Sequence, residues 1–207
     1  MAAPSKQIMV FGHSFVKRLR EFIRANSEDF SFHMKLYNEG PPLIQYTGLP
    51  GATTTSLRQH VDAIVDFEPN IVILVIGTND IFDYSLTPQA VANRIMDFVD
   101  SLLQEYGVEQ VILLQTLHRH QPTVHTRFPV DVVSYNQRVD EMNLYLDQNL
   151  SNRTNSHAYL WRLKGFWSPD CAIKNFARDG CHLTDAGNRR LYSNIRAAVV
   201  AALRGSI

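Results

Sequence analysis

A serine, a histidine and an acid are the side chains that acyl transfer requires, and this sequence carries them near its two ends. Ser14 follows the first apolar run, in Gly12-His13-Ser14, while Asp179 and His182 stand three residues apart in Asp179-Gly180-Cys181-His182. At that spacing the carboxylate and the imidazole fall on nearly the same side of one turn, so the acid can hold the ring. Such a pairing sets the ring tautomer and leaves the other nitrogen to take the serine proton. Each residue also has a plain structural explanation. Serine is a preferred helix N-cap, and the Asp179–His182 pair can be a turn with an exposed ring. The chemistry depends on whether the chain between them folds so as to bring Ser14 to that pair.

Short apolar runs alternate with amphipathic segments, the pattern of a doubly wound α/β arrangement. Five runs are expected as strands: Gln7 to Phe11, His33 to Tyr37, Ile71 to Ile76, Gln110 to Leu114, and Tyr159 to Leu163. The central run, Ile71-Val72-Ile73-Leu74-Val75-Ile76, is apolar without alternation and must be covered on both faces, as in a parallel sheet. Helical stripes lie between: Phe15, Leu19, Phe22 and Ile23 after the first strand, and Val91, Ile95, Phe98, Val99, Leu102 and Leu103 after the third. Val132, Tyr135, Val139, Met142 and Leu146 repeat the pattern, and Leu191, Ile195, Val199, Ala202 and Leu203 end it. Thr87-Pro88 reads as a cap and first-turn pair, and Thr184 as the start of the last helix. No repeat, low-complexity tract or linker interrupts residues 1–207, which are expected to form a single domain. Two long connections stand out, Gly40 to Thr55 and Leu117 to Pro129.

In an open parallel sheet, ligands bind beyond the carboxyl ends of the strands. Ser14 closes the first strand there, and Gly77-Thr78-Asn79-Asp80 closes the third. Gly51, in Gly48-Leu49-Pro50-Gly51-Ala52-Thr53, precedes helical sequence in the first long connection. The Asn79 amide and the bare Gly51 N–H can donate hydrogen bonds at this rim, although an Asx turn and an ordinary glycine turn explain them as well. In this order and context, Gly12-His13-Ser14, Gly51, Gly77-Thr78-Asn79-Asp80 and Asp179-Gly180-Cys181-His182-Leu183 resemble the four blocks of the SGNH (GDSL-type) hydrolase superfamily. The resemblance runs from residue 8 to about residue 200 and implies an α/β fold, a flavodoxin-like three-layer α/β/α sandwich with a five-stranded parallel sheet. It further implies Ser14 as nucleophile, His182 as base, Asp179 as its orienter, and an oxyanion hole from the Ser14 N–H, the Gly51 N–H and the Asn79 side chain. The implied activity is that of a serine esterase, cleaving small carboxylic esters through an acyl-enzyme, with no cofactor. No lid helix is visible in the sequence, which favours short acyl or acetyl groups, with lysophospholipids and thioesters as the alternatives. One position departs from the pattern: the family usually has Asp, supporting the nucleophile loop, where this chain has His13. The alternative is a non-catalytic module of the same fold that holds a ligand or partner on its rim.

Composition narrows the rest. The chain has 20 Lys plus Arg and 20 Asp plus Glu, which argues against a nucleic-acid footprint. No stretch approaches the run of about 20 apolar residues that a membrane-spanning helix needs. Met1-Ala2-Ala3-Pro4-Ser5-Lys6 lacks the features of a secretory signal, and a cytoplasmic location is expected. With only Cys171 and Cys181 no disulfide scaffold is possible, and two reduced thiols are expected. His118, His120 and His125 cluster in the second long connection, but no carboxylate stands at a zinc spacing, so no metal site is assigned. Trp161, Phe166 and Trp167 are candidates for a pocket wall, with core packing as the alternative. A phosphate-binding flavodoxin-like protein is disfavoured, because the first strand–helix turn lacks the glycines that cradle phosphate.

Overall fold

Five parallel strands form one sheet in the order β2-β1-β3-β4-β5. They are β1 (Gln7–Gly12), β2 (Leu43–Gly48), β3 (Ile71–Val75), β4 (Gln110–Leu114) and β5 (Ala158–Trp161). The computed structural model describes residues 6–36, 42–126, 129–153, 157–168 and 174–207. Between and after the strands the described residues form the helices α1 (Ser14–Ala25), α2 (Thr54–Arg58), α3 (Asp62–Phe67), α4 (Pro88–Gln104), α5 (Val132–Ser151) and α6 (Asp185–Leu203). The strand order is that of the flavodoxin-like α/β/α sandwich, as the resemblance implies.

Alternation along each strand divides the core into two layers. Ile8, Val10, Ile71 and Ile73 point to the side covered by α1 and α6. Met9, Phe11, Val72 and Leu74 point to the side covered by α2 to α5. All five residues of β3 are buried, which is why its sequence is uniformly apolar. Phe98 of α4 is fully buried with its ring 6.5 Å from that of Phe11, so Phe98→Ala would cost about 3–5 kcal/mol. Thr87 caps α4 by accepting from the Ala90 N–H, with Pro88 in the first turn, and Thr184 caps α6 by accepting from the Gly187 N–H.

The second strand is not where the sequence reading puts it. Residues 32–35 form turns, with Met34 and Lys35 both at φ 53, Leu36 follows them outside any strand, and Tyr37 lies outside the described residues. Met34 and Leu36 are nonetheless buried against the α1 and α6 layer, and Arg196 Nε donates to the Met34 carbonyl at 2.9 Å. Their period-two burial imitates a strand, but the left-handed backbone cannot join a ladder. The strand comes instead from the first long connection, where Leu43–Gly48 pairs with β1 in register from Gln7↔Leu43 to Gly12↔Gly48. There Ile44 and Tyr46 face the core while Leu43 remains 49% exposed, as suits a sheet edge. At the other edge, β5 stops at Trp161, and the Leu163 N–H turns to Gln115 Oε1 at 3.2 Å.

Candidate active site

The carboxyl ends of β1 and β3, the loop after β2 and the loop before α6 meet at one rim. Ser14 is the first residue of α1, not its N-cap. The cap is His13, whose Nδ1 accepts from the Phe15 N–H at 3.4 Å and whose ring meets Phe15 edge-on at 4.8 Å. The capping explanation for Ser14 is thereby removed, and its hydroxyl is left for other partners. His13 is only 2% exposed, and its pKa is pushed down to about 3, chiefly by burial and further by the charges of His182 and Arg119. A neutral imidazole therefore does the capping for which Asp, the usual family residue here, is also well suited.

Asp179 and His182 form a compact unit. Asp179 Oδ2 lies 2.6 Å from His182 Nδ1, and Asp179 Oδ1 accepts from the Cys181 and His182 N–H groups at 2.9 Å each. Burial raises the Asp179 pKa, but these hydrogen bonds outweigh it and hold the carboxyl below its usual range. With the ring proton on Nδ1 facing the carboxylate, Nε2 is left as an acceptor, 3.5 Å from Ser14 Oγ. That separation is loose for a hydrogen bond, of the kind that tightens when substrate binds. The loop is pinned to the β4–α5 connection: His120 N–H donates to the Gly180 carbonyl at 2.7 Å and Thr123 N–H to that of Arg178 at 2.8 Å. Gly180 has φ +70, and a Cβ there would overlap the His120 carbonyl oxygen.

Two further donors stand on the rim. Gly51 takes φ +72, with no atom within 4 Å of the position a Cβ would occupy. Asn79 Nδ2 donates to the Ala52 carbonyl at 2.9 Å, which orients the amide and joins the loop after β3 to the loop after β2. Two groups that sequence reasoning left without roles brace this junction. Asp80 Oδ1 accepts from the Thr54 N–H at 2.7 Å, and Tyr135 O–H donates to the Thr78 carbonyl at 3.0 Å. Burial pushes the Asp80 pKa up, opposed first by its hydrogen bond from the Thr54 N–H.

Ser14, Gly51, Asn79, Asp179 and His182 all line a single cavity of about 740 Å³. The three aromatic candidates do not line it. Phe166 and Trp161 pack with the α1 and α6 layer, while Trp167 Nε1 donates to the Leu163 carbonyl and its ring meets His118. Aromatic type alone carries no direction: Trp161 ends β5, Phe166 is buried in the core beyond it, and Trp167 stays 40% exposed. Of the three loop histidines, His118 binds Asp140 Oδ1 at 2.7 Å, while His120, packed on Phe176 at 4.4 Å, and His125 line the cavity. Cys181 lines the cavity too, its thiol pKa pushed up by burial, whereas Cys171 and any bond between the two lie outside the described residues.

No helix among the described residues is long and apolar enough to cross a membrane. The profile of the GDSL-like lipase/acylhydrolase family matches residues 11–195. Comparison with curated proteins gave no match. Among solved structures, a lipase/acylhydrolase from Enterococcus faecalis is similar at TM-score 0.66 and 17% identity, over 94% of this chain and 95% of that one. A GDSL-like lipase from Bacteroides thetaiotaomicron is similar at TM-score 0.66 and 15% identity, over 100% and 93%. An acetyl xylan esterase follows at TM-score 0.63 and 19% identity, over 93% and 99%. At these identities the structural likeness shows the fold.

Proposed function

The chain belongs to the GDSL-like lipase/acylhydrolase family, and on that premise we propose that it is a serine esterase cleaving small carboxylic esters, with Ser14, His182 and Asp179 as its triad. The observation that carries this reading is the line Asp179 Oδ2–His182 Nδ1 at 2.6 Å and His182 Nε2–Ser14 Oγ at 3.5 Å, on the wall of an open cavity. Ser14 Oγ attacks the ester carbonyl while His182 Nε2 accepts its proton, and Asp179 stabilises the imidazolium that results. The proton then passes to the departing alcohol, and water activated by the same nitrogen releases the acid.

Negative charge on the carbonyl oxygen is taken up by the Ser14 and Gly51 N–H groups and by the Asn79 amide. Neither of those N–H groups has an acceptor among the described residues, and Asn79 is held in orientation by the Ala52 carbonyl. Donors fixed before the reaction need no reorganisation when the charge appears. Short acyl groups, acetyl among them, are the proposed substrates. The likeness to an acetyl xylan esterase agrees with this choice.

Wild type and Ser14→Ala treated with a fluorophosphonate probe and a short-chain chromogenic ester test the reading. Selective labelling and turnover in wild type are expected. Equal behaviour of the two proteins sinks it and leaves the non-catalytic binding module as the account of the same rim.

A further inference from the structure

Three cationic side chains, Lys17, Arg18 and Arg119, line the cavity that holds Ser14 and His182. The acidic lining is Glu21 and Asp179. Asp179 is occupied by His182 and two backbone N–H groups, and Glu21 lies 3.9 Å from Lys17. Among the described residues, neither Arg18 nor Arg119 has a carboxylate within ion-pairing distance.

Arg119 is the better placed of the two. Asn136 clamps its backbone, Oδ1 accepting from the Arg119 N–H and Nδ2 donating to the Arg119 carbonyl, both at 2.9 Å. The guanidinium lies over the rings of Tyr135 at 4.7 Å and Phe82 at 5.4 Å. Its Nε is buried without a hydrogen-bond partner among the described residues, and so is Nε2 of His120, the next residue on the same cavity wall. A partly buried cation without a counter-ion is costly, and a guanidinium on a cavity wall relieves that cost by taking acceptors from a ligand. The charge of Arg119 also reaches the start of α1 and the loop before α6, where it lowers the pKa of His13 and opposes the rise at Cys181. A guanidinium presents a planar fork of donors that matches the two oxygens of a carboxylate, whose single charge it neutralises.

Resting on the esterase reading above, we propose that Arg119 determines specificity by binding a carboxylate carried by the ester substrate, beside the bond that Ser14 attacks. The substrate class is then an anionic ester, with the carboxylate on the acyl side, as in a dicarboxylic half-ester, or on the alcohol side. A guanidinium serving only as a spacer between Tyr135 and Phe82 would affect stability or all turnover together. It would not change the ratio between charged and neutral substrates of equal size.

That ratio is the test. On the acyl side, kcat/KM is compared for para-nitrophenyl hemisuccinate and para-nitrophenyl butyrate, whose acyl chains are equally long. On the alcohol side, the acetyl esters of para-hydroxybenzoate and phenol form the second pair. Wild type is expected to favour the carboxylate-bearing member of one pair, and raised ionic strength to weaken that preference. Arg119→Gln should lower the ratio about tenfold or more, and Arg119→Lys should keep part of it. The same ratio in wild type and Arg119→Gln for both pairs overturns the proposal. Should Arg119→Gln fail to fold, a wild-type preference unaffected by salt and by Arg119→Lys overturns it equally. Calorimetry on Ser14→Ala with monomethyl succinate and methyl butyrate gives a readout that needs no turnover. Preferential binding of the anion, lost on adding Arg119→Gln, supports the proposal even if no ester is cleaved, in which case the esterase reading alone fails. Equal binding of the two compounds, with or without Arg119, overturns the anion preference and leaves the esterase reading to the fluorophosphonate result.

Discussion

His13 caps the helix that begins with Ser14, and the folded protein holds it neutral: burial, then the charges of His182 and Arg119, push its pKa from 6.5 down to about 3. The unfolded chain takes up a proton near 6.5 that the folded chain refuses until about 3. The sign follows from that difference. The stability tied to neutral His13 is fully present above 6.5, declines as pH falls through the interval, and is gone below about 3. The slope is about 1.4 kcal/mol per pH unit, so wild type should lose about 2 kcal/mol from this residue by about pH 5. His13→Asn isolates the effect, because asparagine offers Oδ1 to the same Phe15 N–H and does not titrate. Losing the edge-on contact with Phe15 adds an offset that does not vary with pH. Urea unfolding of both proteins from about pH 7.5 to about pH 5 should show the difference moving by about 2 kcal/mol in favour of the variant. Contributions from His120, whose pKa burial also lowers, are common to both proteins and cancel. A difference that stays flat across the interval would refute the reasoning, since His13 would then titrate alike in the folded and unfolded chain.

The remaining expectations concern the rim itself. Asn79→Ala should lower turnover about a hundred- to a thousand-fold with a smaller change in KM, and near wild-type turnover removes Asn79 as an oxyanion donor. Asp179→Asn replaces the acceptor at His182 Nδ1 and should depress turnover about ten-thousand-fold through the wrong tautomer, with fluorophosphonate labelling slowed in parallel. Gly180→Ala should cost about 1–3 kcal/mol, because the position has φ +70 and a Cβ would meet the His120 carbonyl. An unchanged melting temperature in that variant would show that the loop can open at little cost.

The fold was legible where local pattern and environment agree. The apolar run at Ile71 to Ile76 announces a strand covered on both faces, and the stripes on α1, α4, α5 and α6 announce which helix faces are buried. The second strand was not legible. Met34 and Leu36 share the period-two burial of Ile44 and Tyr46, and only pairing with β1 distinguishes the strand from the buried turn. Asp80 and Tyr135 escaped for a related reason: their partners, Thr54 and Thr78, are 26 and 57 residues distant in sequence. Arg119 and His120 lie in a connection whose residue types were visible but whose directions were not.

By itself the sequence determined the class of sheet, the helix faces, and the set of residue types able to perform acyl transfer, because these depend on local periodicity and chemical identity. The tertiary structure alone decided that His13 is the cap and Ser14 is not, that Ser14 comes within 3.5 Å of a histidine 168 residues away, and that Trp161, Phe166 and Trp167 stand clear of the cavity while Arg119 enters its lining. Distances of this kind are set by how the strands order themselves and where each loop lands. Those outcomes depend on contacts between distant segments that no local window contains.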